Sequence, residues 1–429
     1  MATETTSPQD PADDGSLVEL EIGPVAHGGH CVARHEGRVV FVRHTLPGER
    51  VRVRLTEAEE SAKFWRGDAV EVLEASPDRV PSAWPAAGPG GVGGGELAHV
   101  ALGAQRAWKS TVLAEQLRRL ARLDLPEQDV QVEAAPGDDE RGGLGWRTRI
   151  ELVADAQGRA GMRAHRSHDV HPLTSMPLAN EAIADLGLFE RRWRPGTRIE
   201  VVAPAGGDTP VVLVDGLPFD FSRGRLDTRP NARASVREVV QHGEVRYDYR
   251  VAAAGFWQVH REAPGVLVDA VIAGLGDVEG ATVLDLYAGA GLFTTPLADA
   301  VGETGEVVAV EGDERAVRDA RRNVHDRRNV ELHAGDVLRV LQGAQDADSD
   351  VVHADAVVLD PPRTGAGRAV CAAVAELRPS RVVYVACDPA ALARDIAFLA
   401  EAGYGLDRVR GLDLFPMTHH LEAVAVLSR

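Results

Sequence analysis

The sequence predicts an α/β protein whose C-terminal part is a parallel sheet wound with crossover helices, preceded by two β-rich segments. The first sign is the alternation after Phe256. The apolar runs VLDLYAG, EVVAVEG, NVELHAGD, DAVVLDPP and RVVYVACD are separated by stretches of helical spacing at 263–272, 293–300, 314–326, 369–376 and 389–402. Such alternation signals a parallel sheet covered on both faces. The second sign is a series of short β-branched runs between Leu17 and Val80. The third is a further set of strand-like runs between Val130 and about Arg250.

Taken in order, residues 1–14 are acidic and polar, a composition that stays disordered. They lack the basic and apolar regions of a signal peptide. Residues 15–80 contain VELEI, RVVFV, ERVRVRL and DAVEVLEA, bounded by turn signals such as HGGH and TLPGE. These predict a small barrel, either an oligonucleotide-binding one or another small β-domain. A stretch rich in Pro and Gly, Pro77 to Gly95, reads as a loop or linker. The central segment, 81–250, shows a helix near 102–124, with Trp108, Val112, Leu113, Leu117 and Leu120 at helical spacing. Its strand-like runs are WRTRIELVAD, TRIEVVAPA, PVVLVDG and EVRYDYRVAA. Residues 251–429 hold the parallel sheet, and ligands bind at the carboxyl ends of such strands.

Composition narrows the class. With 429 residues and 44% hydrophobic content, several ordinary globular cores can form. No apolar run of membrane-spanning length occurs, so no membrane association is expected and the expected location is the cytoplasm. The three cysteines, Cys31, Cys371 and Cys387, are widely separated. They argue against a disulfide framework or a cysteine metal site and suit a reducing compartment. The net charge of −18 runs against nucleic-acid binding, which rests on Lys and Arg. Arginine greatly outnumbers lysine, however, and it is the residue suited to bidentate phosphate contacts.

Candidate chemistry sits at the predicted strand ends. Asp285-Leu-Tyr-Ala-Gly-Ala-Gly291 lets the backbone approach a ligand where a helix begins. It is not a full dinucleotide fingerprint, because Thr294 stands where a third glycine would be. Glu311 ends the next strand, 20 residues after Gly291, where a carboxylate can accept both ribose hydroxyls. The pair fits a nucleoside without a diphosphate, S-adenosylmethionine rather than NAD; the alternative is an unliganded turn and a surface Glu. Asp336 is placed either for the adenine end or as a helix cap. Asp360 precedes two prolines that stiffen the chain. Cys387 lies between a strand end and a helix N-terminus, whose dipole is expected to lower its pKa and favour a nucleophilic thiolate. The alternative is a small buried hydrophobe. In Phe415-Pro-Met-Thr-His-His-Leu-Glu422, two His and one Glu can serve acid–base work. A metal site is the weaker reading, because adjacent residues project in different directions.

Three segments, LDPPRTG (359–365), YVACDPAALARD (384–395) and FPMTHHLE (415–422), resemble in order and spacing the RNA 5-methyluridine methyltransferase family. The segment VAHGGHCVARHEGRVVFVRHTLPGERVRV resembles the TRAM module, a small RNA-binding barrel. The resemblance covers about Leu17 to Arg429. It implies an N-terminal TRAM barrel (15–80), a β-rich central domain (81–250) and a Rossmann-like S-adenosylmethionine-dependent methyltransferase domain (251–429). It implies an enzyme forming 5-methyluridine in ribosomal or, less favoured, transfer RNA, with a monomer as the default state. At matching positions Cys387 is the nucleophile and Glu422 the base at carbon 5. Gln258, Tyr287, Glu311, Asp336 and Asp360 bind the methyl donor. Arg394 and Asp395 belong to the motif without an implied role.

Departures from that pattern carry expectations too. Many relatives hold a four-iron four-sulfur cluster, but here Trp84-Pro85, Val92-Gly-Gly-Gly95 and Met176-Pro-Leu occupy the frame without a cysteine. No cluster and no other metal is expected. Leu292 replaces a frequent Asn, Ala288 a frequent Cys, and His260 an Asn after FxQV. The competing readings are a methyltransferase acting on a non-RNA substrate and a non-catalytic RNA-binding relative.

Overall fold

The computed structural model describes residues 17–164, 167–343 and 353–429. The acidic stretch 1–14 lies outside the described residues. The N-terminal strands are β1 (Leu17–Glu21), β2 (Val25–Ala26), β3 (His30–His35), β4 (Arg38–Arg43), β5 (Arg50–Glu57) and β6 (Phe64–Glu74). They form a curled six-stranded sheet in the order β1-β5-β6-β4-β3-β2. Alternation sets its interior: in RVVFVR, Val40 and Val42 are buried while Phe41 and Arg43 point outward. Leu20, Cys31, Val51, Val53 and Leu55 complete that core.

Helix α1 (Leu102–Gln116) ends in a wider π turn at Leu117–Ala121, shorter overall than the 102–124 span expected. The turn closes where Arg122 takes a left-handed conformation (φ 59°). This helix has two apolar stripes. Trp108 and Val112, one turn apart, enter the barrel core, whereas Leu113 and Leu117 enter the core of the large sheet. Strand β7 (Val132–Ala134) follows and pairs with the edge of that large sheet, although it lies within the central segment.

The remaining central strands are β8 (Arg149–Ala154), β9 (Ala160–Arg163), β10 (Val170–Pro172), β11 (Arg198–Val202), β12 (Val211–Val214), β13 (Leu217–Asp220) and β14 (Arg225–Leu226), with a short helix α2 (Glu181–Ala184). They make a seven-stranded sheet. The long hairpin β15 (Ser235–His242) and β16 (Val245–Ala252) turns its Val236, Val240, Tyr247, Tyr249 and Val251 into the core of the next domain instead.

The C-terminal sheet has eight strands in the order β19-β18-β17-β20-β21-β23-β22-β7. Its own elements are α3 (Ala263–Leu275), β17 (Thr282–Leu286), α4 (Thr294–Val301), β18 (Glu306–Glu311), α5 (Glu314–Asn323), β19 (Val330–Ala334), α6 (Val337–Gly343), β20 (Ala356–Leu359), α7 (Gly367–Glu376), β21 (Arg381–Ala386), α8 (Pro389–Glu401), β22 (Gly405–Asp413) and β23 (Glu422–Ser428). The five strands from β19 to β21 are parallel, and β23 runs antiparallel between β21 and β22. Val283 of β17 faces one core, and Leu284 and Leu286 face the other, so both sides of the sheet are dry. The chain reverses direction across the sheet at β17, with β18 on one side and β20 on the other, which opens a crevice at their carboxyl ends. Because β23 is antiparallel, its first residue lies at that same end.

Candidate active site

The glycine loop after β17 is pinned to β18. Tyr287, in the left-handed region (φ 66°), and Ala288 both donate backbone N–H bonds to Val310 O at 3.0 Å. Gly289 N donates to Glu311 Oε2 at 2.8 Å. A Cβ on Gly289 would meet nothing within 4 Å, so the backbone borders open space that a ligand can enter. The outer side of the loop is braced by residues the sequence did not single out. Tyr249 donates its hydroxyl to Leu292 O at 2.9 Å, and Asn323 donates to Ala290 O at 2.8 Å. Trp257 packs against Tyr249 (ring centroids 5.1 Å apart) in the core that also takes Ala290 and Leu292, and Gln258, next in the chain, is buried. Asp336 accepts from Arg339 N at 3.1 Å, so it caps α6, an element missing from the expected helices.

The crevice is acidic and short of cations. Asp285 is fully buried; Thr294 donates to its Oδ2 at 2.5 Å, while Oδ1 has no partner. Burial pushes the Asp285 carboxyl up to about 7, helped by the Glu311 charge. Burial likewise raises Asp360 to about 7, with Asp285 and Glu311 adding to it. Glu422, 3% exposed, is held well above the usual carboxylate range by burial and then by Asp360. An orphaned buried oxygen and three carboxyl groups whose charged forms are disfavoured fit a ligand that brings positive charge. S-adenosylmethionine brings such a charge; Glu311, expected at its ribose, accepts backbone N–H bonds from Gly289 and Asp313.

This arrangement sets a pH dependence. The folded pKa of Asp285 lies above its unfolded value near 3.9. Its contribution to stability is therefore complete below about pH 4 and is lost as pH rises through about 7, a change of about 4 kcal/mol. Asp285→Asn keeps the Thr294 hydrogen bond and removes the titration. The free protein is expected to lose stability between pH 5 and 8 more steeply than the variant in chemical denaturation; equal slopes would contradict this assignment.

Cys387 directly follows β21, and Glu422 begins β23. The register pairs Ala386 with Ala423, so these two residues come next and face each other across the strands. The expectation of a lowered thiol pKa fails. Burial pushes Cys387 up to about 12, with the Glu422 charge second and Asp360 adding to it; Arg363 alone opposes them among the side chains. The helix that was to supply a favourable field is already capped. Asp388 accepts from Ala391 N at 2.8 Å and puts a carboxylate where the dipole's positive end would act. Arg363, exposed at the mouth, is the cation that faces Cys387, Glu422 and His420. The sequence displayed it in LDPPR without indicating that role. Asp395 holds the loop that carries it, accepting from Ala366 N at 2.7 Å and Tyr384 Oη at 2.5 Å.

The loop before Glu422 is clamped from outside the sheet. Lys109, fully buried, donates to Asp413 Oδ1 at 2.5 Å and Phe415 O at 3.0 Å. Gln105 Oε1 accepts from Met417 N at 2.8 Å, and Leu97 N donates to Met417 O at 2.9 Å. Gln105 and Lys109, four apart and in step with the apolar Trp108 and Val112 of α1, were the available signal. His419 and His420, expected to diverge, instead lie ring to ring with centroids 4.1 Å apart. From the barrel, His27 Nε2 reaches Asp388 Oδ2 at 3.3 Å.

Two departures gain a physical account. His260 Nε2 lies 2.9 Å from Asp138 Oδ2, and its Nδ1 accepts from Glu262 N at 3.0 Å at the start of α3. That fixes its tautomer and makes it a buried brace. The cluster frame is filled with hydrocarbon: Trp84, Val92 and Met176 are buried in one apolar core. A Cβ on Gly95 would come within 2.7 Å of Trp84 and Ala87. The donor set does not fit an iron–sulfur cluster.

Comparison with known proteins agrees with this geometry. Residues 230–429 match the tRNA (Uracil-5-)-methyltransferase family model and residues 11–70 the TRAM domain. An uncharacterized RNA methyltransferase of Streptomyces avermitilis is 44% identical, the match covering 96% of this chain and 98% of that protein. The 23S rRNA (uracil(1939)-C(5))-methyltransferase RlmD of Chromohalobacter salexigens is 34% identical over 97% of this chain and 90% of its own. In fold, the Pyrococcus abyssi tRNA (uracil-54, C5)-methyltransferase, solved with S-adenosyl-L-homocysteine, superposes with a TM-score of 0.65 at 21% identity, covering 95% of this chain and 99% of that one. Among the described residues no helix is long and apolar enough to cross a membrane. With the donor crevice, the facing thiol and carboxyl, and relatives matched end to end, the chain belongs to the S-adenosylmethionine-dependent RNA uracil-C5 methyltransferases that carry an N-terminal TRAM domain.

Proposed function

We propose that this enzyme methylates carbon 5 of a uridine in ribosomal RNA through a covalent adduct on Cys387, with Glu422 as the base. The observation that carries it is the register of β21 against β23, which faces the thiol with a buried carboxyl at the donor crevice. Ribosomal RNA is favoured over transfer RNA because the Chromohalobacter relative, at 34% identity, is a 23S rRNA enzyme. Cytoplasmic location follows from that substrate.

Uracil carbon 5 is a weak nucleophile. Cys387, its thiol proton released to solvent as substrate binds, would bond through Sγ to carbon 6, and the displaced ring electrons would form an enolate nucleophilic at carbon 5. The bound donor supplies the electrophilic methyl group, with Gln258, Tyr287, Glu311, Asp336 and Asp360 as its holders. Glu422 then takes the carbon 5 proton, the double bond re-forms, and Cys387 leaves as thiolate. Arg363 would offset the developing negative charge. A uridine inside folded RNA has to be unstacked to reach the pocket. The barrel offers a surface for unpaired bases despite the acidic total: Phe41 and Phe64 meet edge to face at 5.3 Å. Arg66 lies 4.9 Å over Phe64, and Arg38 4.7 Å over Trp65.

Incubation with methyl-labelled S-adenosylmethionine and separate unmodified ribosomal and transfer RNA tests the substrate. Label is expected as 5-methyluridine in ribosomal RNA; label confined to transfer RNA would overturn that choice. Glu422→Gln tests the base. Turnover should fall by about 10²–10⁴-fold. A methylated protein–RNA species that survives denaturation should accumulate, because elimination lacks its proton acceptor. A variant that turns over normally would remove Glu422 from this role.

A further inference from the structure

We infer that Glu96, His419 and His420 form a divalent-cation site of the kind that takes Zn²⁺, stapling the Gly-rich segment to the loop that carries Glu422. One ligand atom from each side chain lies within 4.8 Å of the other two. Two imidazoles and one carboxylate are a zinc ligand set, and three protein ligands leave one position open. The residues come from segments 323 positions apart in the chain.

The geometry is built before any ion arrives. Leu97 N to Met417 O at 2.9 Å and Met417 N to Gln105 Oε1 at 2.8 Å lock the two segments side by side. Glu96 Oε1 accepts from His419 N at 3.2 Å and also contacts His419 Nδ1. The barrel closes the third side. A Cβ on Gly29 would come 3.1 Å from His419 Cβ and 3.3 Å from Glu96 Cγ, so this turn has room only for glycine.

An ion pair between Glu96 and His419 would explain two of the three residues. It gives no reason for a second, half-buried imidazole against the first, its centroid 4.1 Å away. Arg363 faces His420 from the exposed mouth. Lys109, the other nearby cation, is committed to Asp413.

The test is a Zn²⁺ titration of the full chain by calorimetry after chelator treatment, with bound metal counted by elemental mass spectrometry. One equivalent per chain is expected. Glu96→Gln and His419→Ala should each weaken it by about 10- to 100-fold or more. A variant with Cys31, Cys371 and Cys387 replaced by serine should bind as the wild type does, which excludes the thiols as the ligands. No stoichiometric Zn²⁺, equal affinity in His419→Ala, or binding lost with the cysteines would each overturn the site. Titration with S-adenosyl-L-homocysteine reports whether each variant is folded. Should His419→Ala fail that check, His420→Ala is expected to show the same loss of Zn²⁺.

Discussion

Cys387→Ala is expected to lower formation of 5-methyluridine by about four to six orders of magnitude while donor binding stays near the wild-type level. The size follows from removing the nucleophile of a covalent mechanism, where the remaining binding groups give only a small residual rate. The selectivity follows from position: Cys387 lies at the end of β21, across the sheet from the Gly289 and Glu311 contacts of β17 and β18. Nucleoside analysis of product RNA reads the rate, and calorimetry with S-adenosyl-L-homocysteine reads the donor site. Methylation persisting within about tenfold of wild type would end the covalent reading and return attention to a direct transfer. Donor affinity lost together with activity would instead mark a folding defect.

The second large effect concerns the thiol at rest. With a pKa near 12, Cys387 is ionised at pH 8 in about one molecule in ten thousand, against roughly a quarter for an ordinary thiol. Alkylation of the free protein by iodoacetamide should therefore run about 10³-fold slower than that of N-acetylcysteine. It should speed up about tenfold per pH unit through the alkaline range. Cys31 and Cys371 are buried and also held at about 12, so mass spectrometry of modified peptides can follow Cys387 against a low background. A rate at pH 8 matching an ordinary thiol would mean the α8 N-terminus outweighs burial and the charges of Glu422 and Asp360. The slow outcome would mean that the thiolate forms only once substrate and donor change the charge around it.

Much of this molecule was legible from its residues, for identifiable reasons. The parallel strands β17, β18, β20 and β21 are buried on both faces and so read as apolar runs, whereas β19 at the edge is only partly buried. Glu311, Asp360 and Cys387 could be placed at strand ends because those runs stop where the sheet stops. What stayed hidden was long-range. Strand β7 contributes only Val132–Ala134 to the far edge of the sheet, too short for a period to show. The β15–β16 hairpin alternates like any exposed hairpin, and nothing local says that Tyr249 reaches the glycine loop. The pairing of His419 with His420 was misjudged because adjacent residues diverge in a strand or helix. Here Met417 (φ 69°) bends the loop and Glu96 draws His419 in. The thiol pKa was misjudged because a helix dipole is local and visible, whereas Glu422 and Asp360 reach Cys387 only through strand pairing.

The two stripes of α1 bear on how this chain comes apart. Trp108 and Val112 are as much a part of the barrel interior as Val40 or Val53, while Leu113 and Leu117 belong to the catalytic interior. Lys109, between them, is committed to Asp413. No cut between residue 80 and residue 102 leaves two finished surfaces, since the barrel would lose its floor and the helix would show indole to water. The barrel and the C-terminal sheet are therefore expected to unfold in one calorimetric transition, carrying with them the clamp on Phe415 and Met417 that holds the loop before Glu422.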